Sequence, residues 1–90
     1  MTDRIFLRLS ANWAVGYDRL QWIVMRAITD KSKEGQSWRP IAFVGSTRAV
    51  LMRVLEEKGA EVTPEARAAL DSLPDTFRKW IAGQVERDVP

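Results

Sequence analysis

The hydrophobic period of this chain changes once, and that change limits its fold more than any other feature. Up to Val44 the apolar residues alternate or run in short blocks; from Arg48 onward they recur at helical spacing. Arg4 to Leu9 alternates, with Ile5, Leu7 and Leu9 on one face and Arg4, Phe6 and Arg8 on the other, which predicts a half-buried strand. Ser10-Ala11-Asn12 breaks it. A short extended piece follows over Trp13 to Tyr17, with Gly16 as a bend or bulge. In Leu20 to Ile28, the residues Leu20, Val24 and Ala27 fit a helical stripe. Trp22, Ile23 and Val24 are aromatic or β-branched, however, and Thr29-Asp30 supplies no helix stop, so the segment reads as a strand. That strand is apolar on both faces, Trp22 and Val24 on one and Ile23 and Met25 on the other, and so belongs at a sheet centre with both faces covered. A polar loop over Asp30 to Ser37 leads to a strand over Trp38 to Val44. Pro40 has no N–H for a ladder, which places this strand at an edge or gives it a bulge.

The helical half is punctuated by caps. Val50, Leu51, Val54 and Leu55 form one stripe within Arg48 to Lys58, with Ser46 as the expected N-cap and Gly59 as the residue that stops the helix. Thr63-Pro64-Glu65 restarts a helix with a cap, a first-position proline and a first-turn acid, and that helix ends at Leu73-Pro74. Asp75 is the expected cap of a last helix that puts Phe77, Trp80, Ile81 and Val85 on one face, with Glu86 to Pro90 frayed. Strands first and helices after predict an α+β fold: an N-terminal antiparallel sheet of three to four strands, then two to three helices packed on one face.

Ninety residues suffice for one domain, 1–90, with a modest core. The chain has no cysteine, so no disulfide reinforces it, and a reducing interior is the expected setting. The N-terminal segment, with Asp3, Arg4 and Arg8, does not read as a signal peptide, and no apolar run approaches the roughly 20 residues that span a membrane. Histidine is absent too. Zinc sites of the thiolate or imidazole kind, Ser-His-Asp and Cys-His nucleophile pairs, and the usual neutral-pH general base all fall away. The expectation is a binding protein without catalytic residues, cofactor or metal.

The spaced set Trp13, Asp18, Leu20-Gln21-Trp22, a polar loop, Trp38-Arg39, Phe43, Ser46-Thr47, Leu51 and Leu55 resembles short proteins of bacteriophages, prophages and other mobile elements. The resemblance covers roughly residues 5–58 and carries over no catalytic residue. It implies a mobile-element origin, a bacterial cytoplasm as the place of action, and stoichiometric binding to a host protein or nucleoprotein complex. Inhibitors of host defence systems, of the anti-CRISPR kind, act in this way.

Two surfaces are expected to carry such binding. Residues 1–54 hold nine basic against four acidic side chains, a net +5, whereas residues 55–90 hold five against eight, a net −3. The basic half also carries three of the four tryptophans. Arg4, Phe6, Arg8, Trp13, Trp22, Arg26, Trp38 and Arg39 are therefore the candidate partner-binding set, suited to a protein hot spot or to stacking of nucleic-acid bases. Direct binding of single- or double-stranded nucleic acid is the alternative function. Core packing is the competing explanation for each tryptophan, most strongly for Trp80. Ser46, Thr47 and Arg48 at a strand-to-helix turn have the parts of an anion site, although an ordinary N-cap has the same parts. A second copy of the chain is a further candidate cover for the Ile23–Met25 face, which makes a homodimer an open option. Glu56, Glu57, Glu61, Glu65 and Asp71 read as a solvated helix surface, or as a mimic of nucleic-acid phosphates.

Overall fold

A computed structural model describes residues 4–29 and 36–88. Four strands, β1 (Arg4–Arg8), β2 (Trp13–Tyr17), β3 (Trp22–Thr29) and β4 (Gln36–Val44), precede three helices, α1 (Arg48–Glu57), α2 (Pro64–Asp71) and α3 (Phe77–Asp88). The strands form one antiparallel sheet in the order β1-β2-β3-β4. The fold is α+β, as the change of period predicts. The polar segment 30–35 lies outside the described residues, and Gln36 and Ser37 belong to β4 and not to the loop.

Register assigns the faces. The rows Tyr17–Trp22–Val44 and Leu7–Val15–Val24–Ala42 point inward, where α1, α2 and α3 bury Leu51, Leu55, Ala66, Leu70, Leu73, Phe77 and Trp80 against them. The rows Ile5–Gly16–Ile23–Phe43 and Arg8–Ala14–Met25–Pro40 point outward. Each edge strand carries one extra residue: Phe6 in β1, between the pairs Ile5–Gly16 and Leu7–Val15, and Ile41 in β4, between Met25–Pro40 and Val24–Ala42. Pro40 thus lies on an edge strand beside a bulge, where a missing N–H is tolerated.

The β1 bulge corrects the alternation expected for Arg4 to Leu9. Phe6 and Leu7 both pack against the helix-side core, while Ile5 and Arg8 share the outer face. The irregularity falls opposite Gly16, on β1, and not in β2. Phe6 lies 4.6 Å from Trp80 between ring centroids, and Tyr17 meets Trp80 edge-on at 4.9 Å. Trp22 meets Phe77 edge-on at 5.3 Å. Trp80 touches every ring of this cluster, so one residue of α3 ties the helix layer to β1, β2 and β3.

Leu20 is not part of β3. It is 77% exposed in the β2–β3 turn, which Asp18 holds. The Asp18 carboxylate accepts the Leu20 and Gln21 N–H groups at 2.7 and 3.0 Å and the Gln21 side-chain amide at 3.2 Å. Partial burial would raise the Asp18 pKa, but these hydrogen bonds and nearby Arg19 outweigh it and hold the carboxyl below its ordinary value. Gly45 packs on this turn: a Cβ there would stand 2.9 Å from the Leu20 carbonyl oxygen. Gly59, at φ 71°, ends α1 as expected, and Thr63 caps α2 through its hydroxyl. The last helix continues to Asp88, past the point where fraying is expected; the Val85 side chain, Val89 and Pro90 lie outside the description.

Candidate functional site

The turn that leads from the sheet into the helices is a structural junction. Thr47, not Ser46, is the N-cap of α1; its hydroxyl accepts the Val50 N–H at 3.2 Å. The Ser46 carbonyl instead accepts the Phe77 N–H at 3.0 Å, and Thr47 bridges to Thr76. Thr76, not Asp75, offers the hydroxyl at the start of α3, accepting the Lys79 N–H at 3.2 Å. Arg48 turns away from any anion at its own helix start. Its guanidinium donates to the carbonyls of Asp71 and Leu73 at 2.7 and 2.8 Å, at the end of α2, and faces the Asp75 carboxylate at 3.7 Å. A cation there answers the unpaired carbonyls and the dipole of α2. Ser46, Thr47 and Arg48 therefore join three helix ends, and the anion-site reading of these residues is replaced by that role.

The eight residues of the candidate partner-binding set do not share one surface. Trp22 is fully buried, Trp13 is buried, and Phe6 is half-buried against Trp80, so these three build the core. A buried ring has no face left for a partner, and the stacking platform expected of Trp13 and Trp22 is not formed. The Arg4 backbone pairs with Tyr17, while its side chain lies outside the description. Arg8 and Trp38 meet on the outer face, with the Arg8 guanidinium 5.4 Å from the Trp38 ring centroid. Arg26 and Arg39 pair directly across β3 and β4 on the inner face, beyond the helices, and Arg26 stacks over Trp13 at 5.5 Å.

The outer face therefore has its own small interior. Arg8 comes from one edge strand, where it is paired with Ala14, and Trp38 from the other, where it is paired with Ala27. Four strands about 4.8 Å apart make that span about 14 Å, within reach of two long side chains leaning together. Ile23 and Met25 are only 2% and 1% exposed, so a single chain buries the second face of β3 without help from a second copy. The ends of the Ile5–Gly16–Ile23–Phe43 row stay open: Phe43 is 57% and Ile5 39% exposed. Sequence patterning does not single out these two. Alternation shows that Phe43 is near the end of an apolar strand, but its face depends on the Ile41 bulge, which only the register reveals.

Among the described residues no group of three or more Asp, Glu, Cys or His comes together to hold a metal ion, and Glu56, Glu57, Glu61, Glu65 and Asp71 are exposed. No described helix is long and apolar enough to cross a membrane. No family model, curated protein or solved structure matches this chain.

Proposed function

We propose that this chain acts stoichiometrically, by docking its outer sheet face on a protein partner. The observation that carries the reading is the exposure of the two apolar ends of one row on that face. Phe43 and Ile5 stand exposed at the two ends of the row whose middle, Gly16 and Ile23, is buried, and the stacked Arg8–Trp38 pair lies on the same face. Exposed aromatic and apolar side chains beside an arginine have the composition of a protein-binding hot spot. The absence of Cys and His in the sequence fits binding better than catalysis. The resemblance to phage and mobile-element proteins supports a host protein or nucleoprotein complex as the partner, and a defence system as the setting.

The test uses Phe43→Asp, which places a charge on the row without touching the helix-side core. Immobilised wild-type chain should retain a discrete host protein at physiological salt, and Phe43→Asp should lose it. Retention of the same protein by both forms, or of none by either, would overturn the proposal. Light scattering on both forms reports the other occupant of this face: a wild-type dimer that Phe43→Asp converts to monomer would mean that a second copy, not a host protein, covers the row.

A further inference from the structure

A different surface carries a second inference. β3 and β4 outlast their neighbours: β2 pairs with β3 only as far as Trp13–Arg26, while β3 and β4 continue through Ala27–Trp38, Ile28–Ser37 and Thr29–Gln36. The result is a two-stranded ribbon projecting past β2. At its base Arg26 and Arg39 face each other as direct cross-strand partners on the side opposite the Arg8–Trp38 stack. Directly opposed side chains in an antiparallel pair have Cβ atoms about 4.5–5.5 Å apart, and like charges so placed repel. Both arginines are exposed, and neither forms an ion pair with a carboxylate among the described residues. Arg26 is held by stacking over Trp13. The pair borders a shallow groove of about 470 Å³ that Ala27, Ile28, Pro40 and Ile41 complete.

The pair adds nothing to the fold that one arginine and one glutamate would not add better, since a cross-strand ion pair would attract. Two arginines at directly opposed positions can converge on one oxyanion, Arg26 swinging toward Arg39 from its stack over Trp13 on the β2 side. Each offers a planar fork of N–H donors matched to phosphate oxygens, and an anion between them removes the repulsion. The ribbon indicates the source of that phosphate. A two-stranded β-ribbon is one of the two elements that the major groove of duplex DNA, about 12 Å wide, admits. We infer that the β3–β4 ribbon is a nucleic-acid contact, with Arg26 and Arg39 clamping a backbone phosphate of a duplex. This site stands apart from the proposed protein-docking face, and neither depends on the other.

The decisive variant is Arg39→Glu. It turns the repelling pair into an attracting one, so its melting temperature should equal or exceed that of the wild type, which removes misfolding as an explanation. Binding of a short labelled DNA duplex, followed by anisotropy between 50 and 200 mM salt, should weaken at least about tenfold in Arg39→Glu. The slope of log affinity against log salt should become shallower by about one, the value of one lost phosphate contact. Arg39→Lys, which keeps the charge and loses the fork, should bind between the wild type and Arg39→Glu, and Phe43→Asp should bind the duplex like the wild type. No duplex binding by the wild type at 50 mM salt would overturn the inference. So would equal binding by Arg39→Glu, binding of the single strand alone, or an Arg39-dependent preference for a polyglutamate peptide, which would make the site a reader of acidic protein.

Discussion

Replacing Trp80 by alanine tests the packing scheme at its centre. Trp80 is 7% exposed and touches Phe6, Tyr17, Trp22 and Phe77, with centroid distances from 4.6 to 6.1 Å. Removing all but its Cβ gives up roughly 150 Å² of buried apolar area, or about 4 kcal/mol at 25 cal/mol per Å². That agrees with the roughly 3–5 kcal/mol usual for Trp→Ala in a core. Ninety residues at about 0.05–0.15 kcal/mol each give a total stability of roughly 5–13 kcal/mol. The single change therefore consumes a third or more of it in most of that range. Urea unfolding followed by far-ultraviolet circular dichroism reads the loss directly, and the thermal midpoint should fall by about 12 °C or more. Trp80→Phe keeps a ring against Phe6 and Tyr17 and should cost less than half as much. A loss under about 1.5 kcal/mol for Trp80→Ala, or equal losses for the two variants, would refute the view that this ring ties helix and sheet layers together.

Three further perturbations follow from described contacts. Arg48→Met strips the Asp71 and Leu73 carbonyls of their donor and should cost about 2 kcal/mol by chemical denaturation, nearly all from those hydrogen bonds, because the 3.7 Å pair with exposed Asp75 adds little. Gly45→Ala drives a Cβ to 2.9 Å from the Leu20 carbonyl and should cost about 1–3 kcal/mol; a neutral result would mean that the β2–β3 turn yields freely. Asp18 has a folded pKa below its ordinary value, so its contribution is present above the unfolded pKa and lost as pH falls through the folded one. Wild-type stability should thus decline on acidification through the carboxylate range with a component that Asp18→Asn lacks, measurable as a smaller difference between the two proteins at low pH than at neutral pH.

Much of this architecture is legible in the residues themselves. The strand-to-helix switch after Val44, Gly59 as a stop and Thr63-Pro64-Glu65 as a start all depend on local chemistry, and local chemistry is what a sequence records. The surface is less legible because it depends on register. One extra residue in β1 sends Phe6 inward and leaves Ile5 outside, and Ile41 does the same service for Phe43 in β4. The cap of α1 moves from Ser46 to Thr47 because Ser46 is bonded through its carbonyl to Phe77, a partner far along the chain. Arg48 looks like an anion ligand from its neighbours and is a helix-end donor because of where α2 stops. Trp13 and Trp22 belong to the core because they lie on the face that the three helices pack against, while Trp38, on the other face, meets Arg8.

The order of the strands also says how such a chain can find its structure. Each strand pairs with the one before it, so the whole sheet assembles from turns, and hairpins close in microseconds. Nothing in the sheet waits for distant partners. The slow step falls elsewhere, to the contacts that bring the two ends of the chain together: Phe6 and Tyr17 against Trp80, and the Thr63 N–H on the Leu9 carbonyl. Loop-closure entropy weighs most on contacts of such sequence separation. The order of the strands thus predicts a sheet that forms early and a last helix whose docking is slow, so that Trp80→Ala should chiefly speed unfolding if the α3 contacts form after the transition state.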